Sequence, residues 1–233
     1  MIKTFFTTLY RNFIKNKAFF LVNLFGFTLG ITVSILIFLF VINELSYDKF
    51  HEKSDRIYRL AIRAMIGDTR IDQTFSSARM FREISARFPQ VEGGAKIIDL
   101  GQTTTRVGDR VFNETVFAHA DSTFFSVFTF PIIDGNFDNP IGDPNTVALS
   151  ESCARKYFGE RNAIGEKLET SNPYTGEQTY LVTAVYEDMP VNSHFHFDWI
   201  GSLNTFPDLQ NNDGWTSNNF RAYYLLKEFD PSC

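Results

Sequence analysis

Between Ala18 and Ile42 the chain reads AFFLVNLFGFTLGITVSILIFLFVI, without one Asp, Glu, Lys, Arg or His. At ~1.5 Å of rise per residue a helix over this stretch spans about 37 Å. The hydrocarbon core of a bilayer is ~30 Å thick, so the stretch is long enough to cross it with some tilt. Lipid offers the backbone no hydrogen-bond partners, and a helix satisfies its own where a single strand does not. Gly26, Gly30 and Ser34 recur every four residues and fall on one face. Small residues at that spacing let membrane helices approach closely, so this face is expected to pack against another helix.

The flanks of the stretch give it a direction. Lys3, Arg11, Lys15 and Lys17 precede it with no acidic residue among them, whereas Glu44, Asp48, Lys49, Glu52, Lys53 and Asp55 follow it. The positive-inside rule then expects a cytoplasmic N-terminus, with everything after about Asn43 on the other side. A cleaved signal peptide has an apolar core of ~7–15 residues and a small-residue cleavage site. The run Phe40-Val41-Ile42-Asn43-Glu44 offers no such site, so an uncleaved anchor over 18–43 is expected. Residues 1–17 read as an amphipathic elbow helix, with Phe6, Leu9, Tyr10 and Phe13 on one stripe and Arg11 and Lys15 off it. Such a helix suits the headgroup region of a membrane.

The formal net charge of −5 hides a polarity, since the N-terminal tip is purely basic and the remainder is acidic. An acidic exterior argues against a nucleic-acid partner. The basic tip suits anionic lipid instead. Many of the 26 phenylalanines lie beyond the anchor and supply a core for residues 44–233. Cys153 and Cys233 are the only cysteines. Because Cys233 is the last residue of this sequence, where a chain end seldom holds a defined bridge, no disulfide is expected. Cys153 is expected buried in a helix.

Beyond the anchor the patterning alternates between strands and short helices. RIYRLAIR (56–63) reads as one half-buried strand with Tyr58, Leu60 and Ile62 inward, and a more polar strand follows near 69–74. Ser76 or Ser77 caps a helix that carries Met80, Phe81, Ile84 and Phe88 inward and stops at Pro89. Segments 95–100, 103–107 and 110–120 read as strands, the last two joined by a tight Gly108-Asp109 turn. Phe124, Phe125, Phe128 and Phe130 are expected to press into the core from a short helix or turn. Residues 134–144 read as a loop, TVALS (146–150) as a strand, and ESCARKYF (151–158) as a helix closed by Gly159. A hairpin of 166–171 with 178–188 follows, then strands over 195–201 and 220–226. The predicted class is α+β with mixed or mostly antiparallel sheets.

Chemistry is sparse. His194, His196 and Asp198 alternate as H-x-H-x-D and on a strand would share a face, the one local set with metal-ligand spacing. The competing reading is a solvated face opposite Phe195, Phe197 and Trp199, and no metal or cofactor is assigned. There is no G-x-S-x-G, H-E-x-x-H, C-x-x-C or P-loop, so no catalytic residues are assigned. Asn113-Glu114-Thr115 fits a glycosylation sequon, a tripeptide frequent by chance.

Several longer runs carry a family resemblance: ELSYDKFHEKSDRIYRL (44–60), FFSVFTFPIIDGNF (124–137), NTVALSESCARKYFGERNAIGEKL (145–168) and VTAVYEDMPVNSHFHFDWIGSL (182–203). With the basic elbow and the uncharged helix before them, they resemble the N-terminal part of a MacB/FtsX-type ABC transporter permease with a MacB-like periplasmic core domain. The resemblance implies a bacterial inner-membrane permease subunit of an export or mechanotransmission system, itself non-catalytic. It implies a cytoplasmic ABC ATPase, a second permease copy or paralogue, a periplasmic protein partner and membrane lipid as partners, and 44–233 as the incomplete periplasmic domain. It also implies three further membrane helices, so the sequence is expected to be a fragment of a longer permease. The alternative of a different class is a single-pass anchored binding or sensory domain acting through protein contacts.

Overall fold

The structure is a computed structural model that describes Thr4, Thr7, Arg11, Lys15 and residues 17–228. The elbow stripe of Phe6, Leu9, Tyr10 and Phe13, together with Lys3 and Cys233, lies outside the described residues. The chain divides into two units, Met1–Tyr47 and Asp48–Cys233.

The first unit is dominated by helix α1 (Lys17–Leu45), none of whose residues is buried. It is long and apolar enough to cross a membrane. It begins and ends slightly outside the uncharged run, taking in Lys17, Asn43, Glu44 and Leu45. At 29 residues the helix is longer than ~30 Å of hydrocarbon requires, so the charged Lys17 and Glu44 need not fall within such a core.

The second unit is built on one large mixed sheet. Its strands are β1 (Ile57–Arg59), β4 (Val91–Ile98), β5 (Thr103–Val107), β6 (Arg110–Glu114), β7 (Phe117–Ala120), β8 (Ile132–Gly135), β9 (Thr146–Ser150), β10 (Lys167–Asn172), β11 (Gly176–Tyr186), β12 (Trp199–Ser202) and β13 (Arg221–Leu226). The spatial order is β1-β13-β4-β7-β12-β9-β11-β10-β5-β6, with β8 beside β11. β11 with β9 and β12 with β7 run parallel; the other pairs of this sheet are antiparallel. A separate hairpin pairs β2 (Ile62–Ile66) with β3 (Thr69–Gln73). The α+β class with mixed sheets is therefore observed.

The longer helices of this unit begin and end where their caps say. In α2 (Ala78–Arg87) the Ser77 side chain accepts from the Met80 N–H. In α4 (Glu151–Phe158) Ser150 accepts from the Cys153 N–H, and Gly159 ends the helix at φ 66°. That left-handed conformation is one glycine adopts without a Cβ penalty. A four-residue helix, α3 (Phe124–Val127), carries the aromatic patch into the core, and α5 (Pro207–Gln210) follows a 3₁₀ turn.

Three apolar clusters fill the interior. One gathers Ile97, Phe124, Phe128, Phe130, Phe195 and Tyr223. A second lies under α4 and includes Leu149, Cys153, Tyr157, Leu168 and Trp199. The third joins Ala78, Ile98, Leu203 and Phe220. Cys153 is buried as expected, and burial pushes its thiol pKa up.

Some expectations need correction. The strand expected over 56–63 breaks at Leu60 and Ala61, with β1 joining the large sheet through β13 and β2 turning into the hairpin. Tyr58 is 54 % exposed, because Ile57 rather than Tyr58 packs against the core at this sheet edge. Phe88 is also exposed, since it is the C-cap beyond the last helical turn of α2. The strand expected over 110–120 splits into β6 and β7, and the loop expected over 134–144 starts inside β8. The strand expected over 195–201 is regular only from Trp199.

Candidate functional site

Parts of two of the runs quoted above, 48–51 and 192–198, meet within the second unit. Asp48 adopts φ 57°, a left-handed conformation that aspartate tolerates better than most residues. Its N–H donates to the Asn192 carbonyl at 2.9 Å. Its carboxylate accepts the His194 N–H at 2.7 Å. This latch ties the first residue of the sheet unit to the loop between β11 and β12. Replacing Asp48 with alanine removes a charge-assisted bond worth ~1.5–3 kcal/mol. Amide exchange at His194 is expected to rise by about 10- to 150-fold, measured by hydrogen exchange; unchanged exchange would contradict the latch.

His51 extends the same contact. It is 4 % exposed and packs among Phe50, Phe128 and Phe130, at ring separations of 4.1, 5.3 and 5.1 Å. The Thr129 N–H donates to its Nδ1 at 3.0 Å, so the neutral ring carries its proton on Nε2. Burial lowers its pKa, with the Asp48 charge acting the other way. Beside it, the Glu52 N–H donates to Thr129 Oγ1 at 3.0 Å and Lys53 Nζ donates to the Ser126 carbonyl at 2.7 Å. Residues 51–53 are thus stitched to α3 and the turn after it.

A cavity of about 220 Å³ opens at this junction, lined by Asp48, His51, Ser54, Ile57, Arg59, Phe128, His194, Phe195 and Tyr223. Arg59 on β1 lies opposite Tyr223 on β13, its guanidinium 5.8 Å from the ring centroid. Three side-chain atoms of these residues, each closed to solvent, have no protein hydrogen-bond partner: His51 Nε2, Arg59 Nε and the Tyr223 hydroxyl. Buried polar atoms left so are uncommon in native folds.

The sequence-predicted residues distribute differently. His194 and His196 are exposed while Phe195 is buried, and the segment carrying them is irregular rather than a strand. Among the described residues no group of three or more His, Cys, Asp or Glu side chains could hold a metal ion. Asp198 sits apart from the latch: its carbonyl accepts from the Ser150 N–H at 2.8 Å. Burial first, and the nearby Glu114 charge second, raise its pKa. Glu114 itself is buried, held by Tyr157 Oη at 2.7 Å and Lys156 Nζ at 2.8 Å. Gly26, Gly30 and Ser34 line a groove on α1 with Phe27, Ile31, Ile35 and Phe38, and Ser34 Oγ donates back to the Gly30 carbonyl at 2.9 Å. Arg11, Lys15 and Lys17 are exposed. The sequence reading missed His51, Arg59 and Tyr223. Their one signal was His51 inside the run SYDKFH, since a lone histidine after an anchor has no spacing partner to announce it.

Comparison with known proteins agrees with this architecture. One similar solved structure is a domain of a protein described as a permease, from Porphyromonas gingivalis. It is 22 % identical, with a TM-score of 0.63, covering 78 % of this chain and 80 % of that one. Another is the periplasmic region of MacB from Actinobacillus actinomycetemcomitans. It is 13 % identical, with a TM-score of 0.52, covering 76 % and 78 %. At these identities the likeness is one of fold. A search of curated proteins finds no match. The family model for the MacB-like periplasmic core domain matches residues 20–227, taking in both the latch and the cavity, and the chain therefore belongs to the MacB-like periplasmic core domain family of ABC transporter permeases.

Proposed function

We propose that this chain is the N-terminal part of a permease subunit that couples a cytoplasmic ABC ATPase to events on the far side of the inner membrane. The observation that carries the reading is the direct joining of a family periplasmic domain to an uncharged helix of membrane-crossing length. On this reading Lys3, Arg11, Lys15 and Lys17 hold the N-terminus in the cytoplasm. The Gly26/Gly30/Ser34 groove packs against another membrane helix of the assembly. A second permease copy or paralogue completes the pathway, a periplasmic protein takes over what the domain hands on, and ATP hydrolysis belongs to the ATPase alone.

The Asp48 latch supports a relay. Asp48 is three residues past Leu45, and its two bonds reach the body of the domain. The sheet domain is therefore fixed from its first residue, Asp48, onward. The DNA following codon 233 tests the assignment. Three further uncharged segments of about 20 residues, with an ABC ATPase gene nearby, are the expected result. A stop codon there in a stably expressed gene would favour an anchored sensory or binding domain instead.

A further inference from the structure

We propose that the groove between the β4–β5 loop, the β10–β11 turn and the start of β13 binds a free α-amino acid with a large apolar side chain, its carboxylate on Arg221 and its ammonium on Asp99. The inference does not rest on the transport reading. The groove has a volume of about 760 Å³, is open to solvent along its mouth, and is lined by Phe75, Ile98, Asp99, Leu100, Tyr174 and Arg221 among others. That volume falls in the ~300–1,000 Å³ range of small-molecule sites, which pair apolar walls with a few placed polar groups. All of its residues belong to the sheet unit.

The charged end of the groove is built but left incomplete. Arg221 opens β13, opposite Ile97 of β4, and its side chain is 20 % exposed. Its Nε is closed to solvent, so the open part of the guanidinium is its terminal nitrogens. Nη2 faces Asp99 Oδ2 at 3.8 Å, an ion pair too long to be a hydrogen bond. Among the described residues the guanidinium donates no hydrogen bond to protein. Asp99 is held through its other oxygen, Oδ1, which accepts the Gly101 N–H at 2.8 Å. An ion pair so placed, with no hydrogen bond, recovers little of what burying Arg221 costs. A gap beyond ~3.5 Å also has room for a bridging group. A lone carboxylate at Arg221 would be opposed by Asp99, and a lone amine at Asp99 by Arg221. An α-amino acid meets both, because its ammonium and carboxylate hang on one carbon at ~1.5 Å each. The termini of a dipeptide stand a further ~3.8 Å apart and do not match so close a pair.

Apolar surface lies beside that pair. Ile98 and Leu100, both buried, form the floor, while Phe75 and Tyr174 stay exposed, leaving two aromatic side chains for a ligand to cover. The walls are preformed. Asn172, itself buried, donates through Nδ2 to the Leu100 and Gln102 carbonyls, both at 3.0 Å, and accepts the Tyr174 N–H at 2.8 Å. One side chain thus fixes the β4–β5 loop and the β10–β11 turn together. Gly101 adopts φ 77°, and a Cβ there would lie 3.7 Å from the Tyr174 ring, so the ring packs on the loop that carries Asp99. A site whose supports are already in place loses less free energy to ordering when a ligand binds.

Isothermal titration calorimetry on the detergent-solubilised full chain tests the site with L-phenylalanine, phenylalaninamide, 3-phenylpropionate and L-alanine. L-Phenylalanine is expected to bind at one per chain, and each of the other three about tenfold more weakly or worse. The amide lacks the carboxylate, the propionate lacks the ammonium, and alanine lacks the large apolar side chain. Arg221→Gln and Asp99→Asn are each expected to weaken L-phenylalanine binding about tenfold or more, and Arg63→Gln, on the separate hairpin, to leave it unchanged. Should either of the first two fail to fold, Tyr174→Ala changes only an exposed turn residue and is expected to weaken binding about 2- to 10-fold. No binding of L-phenylalanine at millimolar concentration, binding insensitive to every one of these variants that folds, or equal binding of the amide or the propionate would overturn the site. Tighter binding of phenylalanyl-phenylalanine than of L-phenylalanine would also overturn it, in favour of a peptide groove.

Discussion

Lowering the pH from 7 to 4 is expected to cost the sheet domain about 3 kcal/mol through His119 alone. His119 on β7 is almost wholly buried, boxed in by Phe117, Trp199 and Phe206 at ring separations of 6.1, 5.5 and 5.1 Å. A Cβ placed on Gly201 would lie 2.6 Å from the ring, which shows how little room is left for water. Nε2 sits 2.8 Å from the Tyr180 hydroxyl, and Nδ1 has no protein partner. Burial therefore lowers the pKa to about 3. The unfolded chain takes up this proton near pH ~6.5, so between there and about 3 the unfolded state binds more protons and stability falls with falling pH. The effect is absent above ~6.5, where both states are neutral. Urea unfolding followed by tryptophan fluorescence at pH 7 and 4, in wild type and His119→Gln, isolates the contribution because carboxylate effects are common to both. A wild-type acid loss exceeding the variant's by about 3 kcal/mol is expected; parallel losses would show that the ring is hydrated.

Phe124→Ala is expected to destabilise the domain by about 3–5 kcal/mol. The side chain is fully buried and stacks on Phe130 at 5.7 Å. It also meets Phe125 at 5.2 Å, Phe128 at 5.1 Å and Phe195 at 6.1 Å. Helix α3 is a single turn, so it has too few internal hydrogen bonds to stand without this packing. Truncation leaves a cavity that close-packed neighbouring rings fill only in part. Phe88→Ala, at the exposed end of α2, serves as the control with an effect within about 0.5 kcal/mol. A loss below about 1 kcal/mol for Phe124→Ala would mean that the aromatic cluster relaxes into the void.

Elements whose cause is local were legible from the chain. The uncharged run of α1, the serine caps of α2 and α4, the Gly159 stop and the Gly108-Asp109 turn each follow from residues within a few positions of the event. The aromatic patch was readable as core because four phenylalanines in seven residues have few other ways to be accommodated. Features set by distant partners were not legible. The break at Leu60 and Ala61 depends on β1 finding β13, which lies at the far end of the sequence. The exposure of Tyr58 depends on the same pairing, since a one-residue choice of face at a sheet edge inverts every side chain. The H-x-H-x-D spacing suggested a shared face only on the premise of a strand, and the backbone there is instead held by the latch and by Asp198. The cavity needed three dimensions outright, because His51, Arg59 and Tyr223 come from opposite ends of the domain.

The proposed function requires the sheet domain to lie on the far side of the membrane from the N-terminus. Cysteine labelling in intact spheroplasts measures this directly, using the full chain with Cys233→Ser, since Cys153 is buried. Tyr174, 81 % exposed in the turn between β10 and β11, and Lys15, exposed ahead of α1, are the reporter positions. A membrane-impermeant maleimide is expected to label Tyr174→Cys in intact cells and Lys15→Cys only after permeabilisation. Labelling of Lys15→Cys in intact cells, with Tyr174→Cys protected, would contradict it.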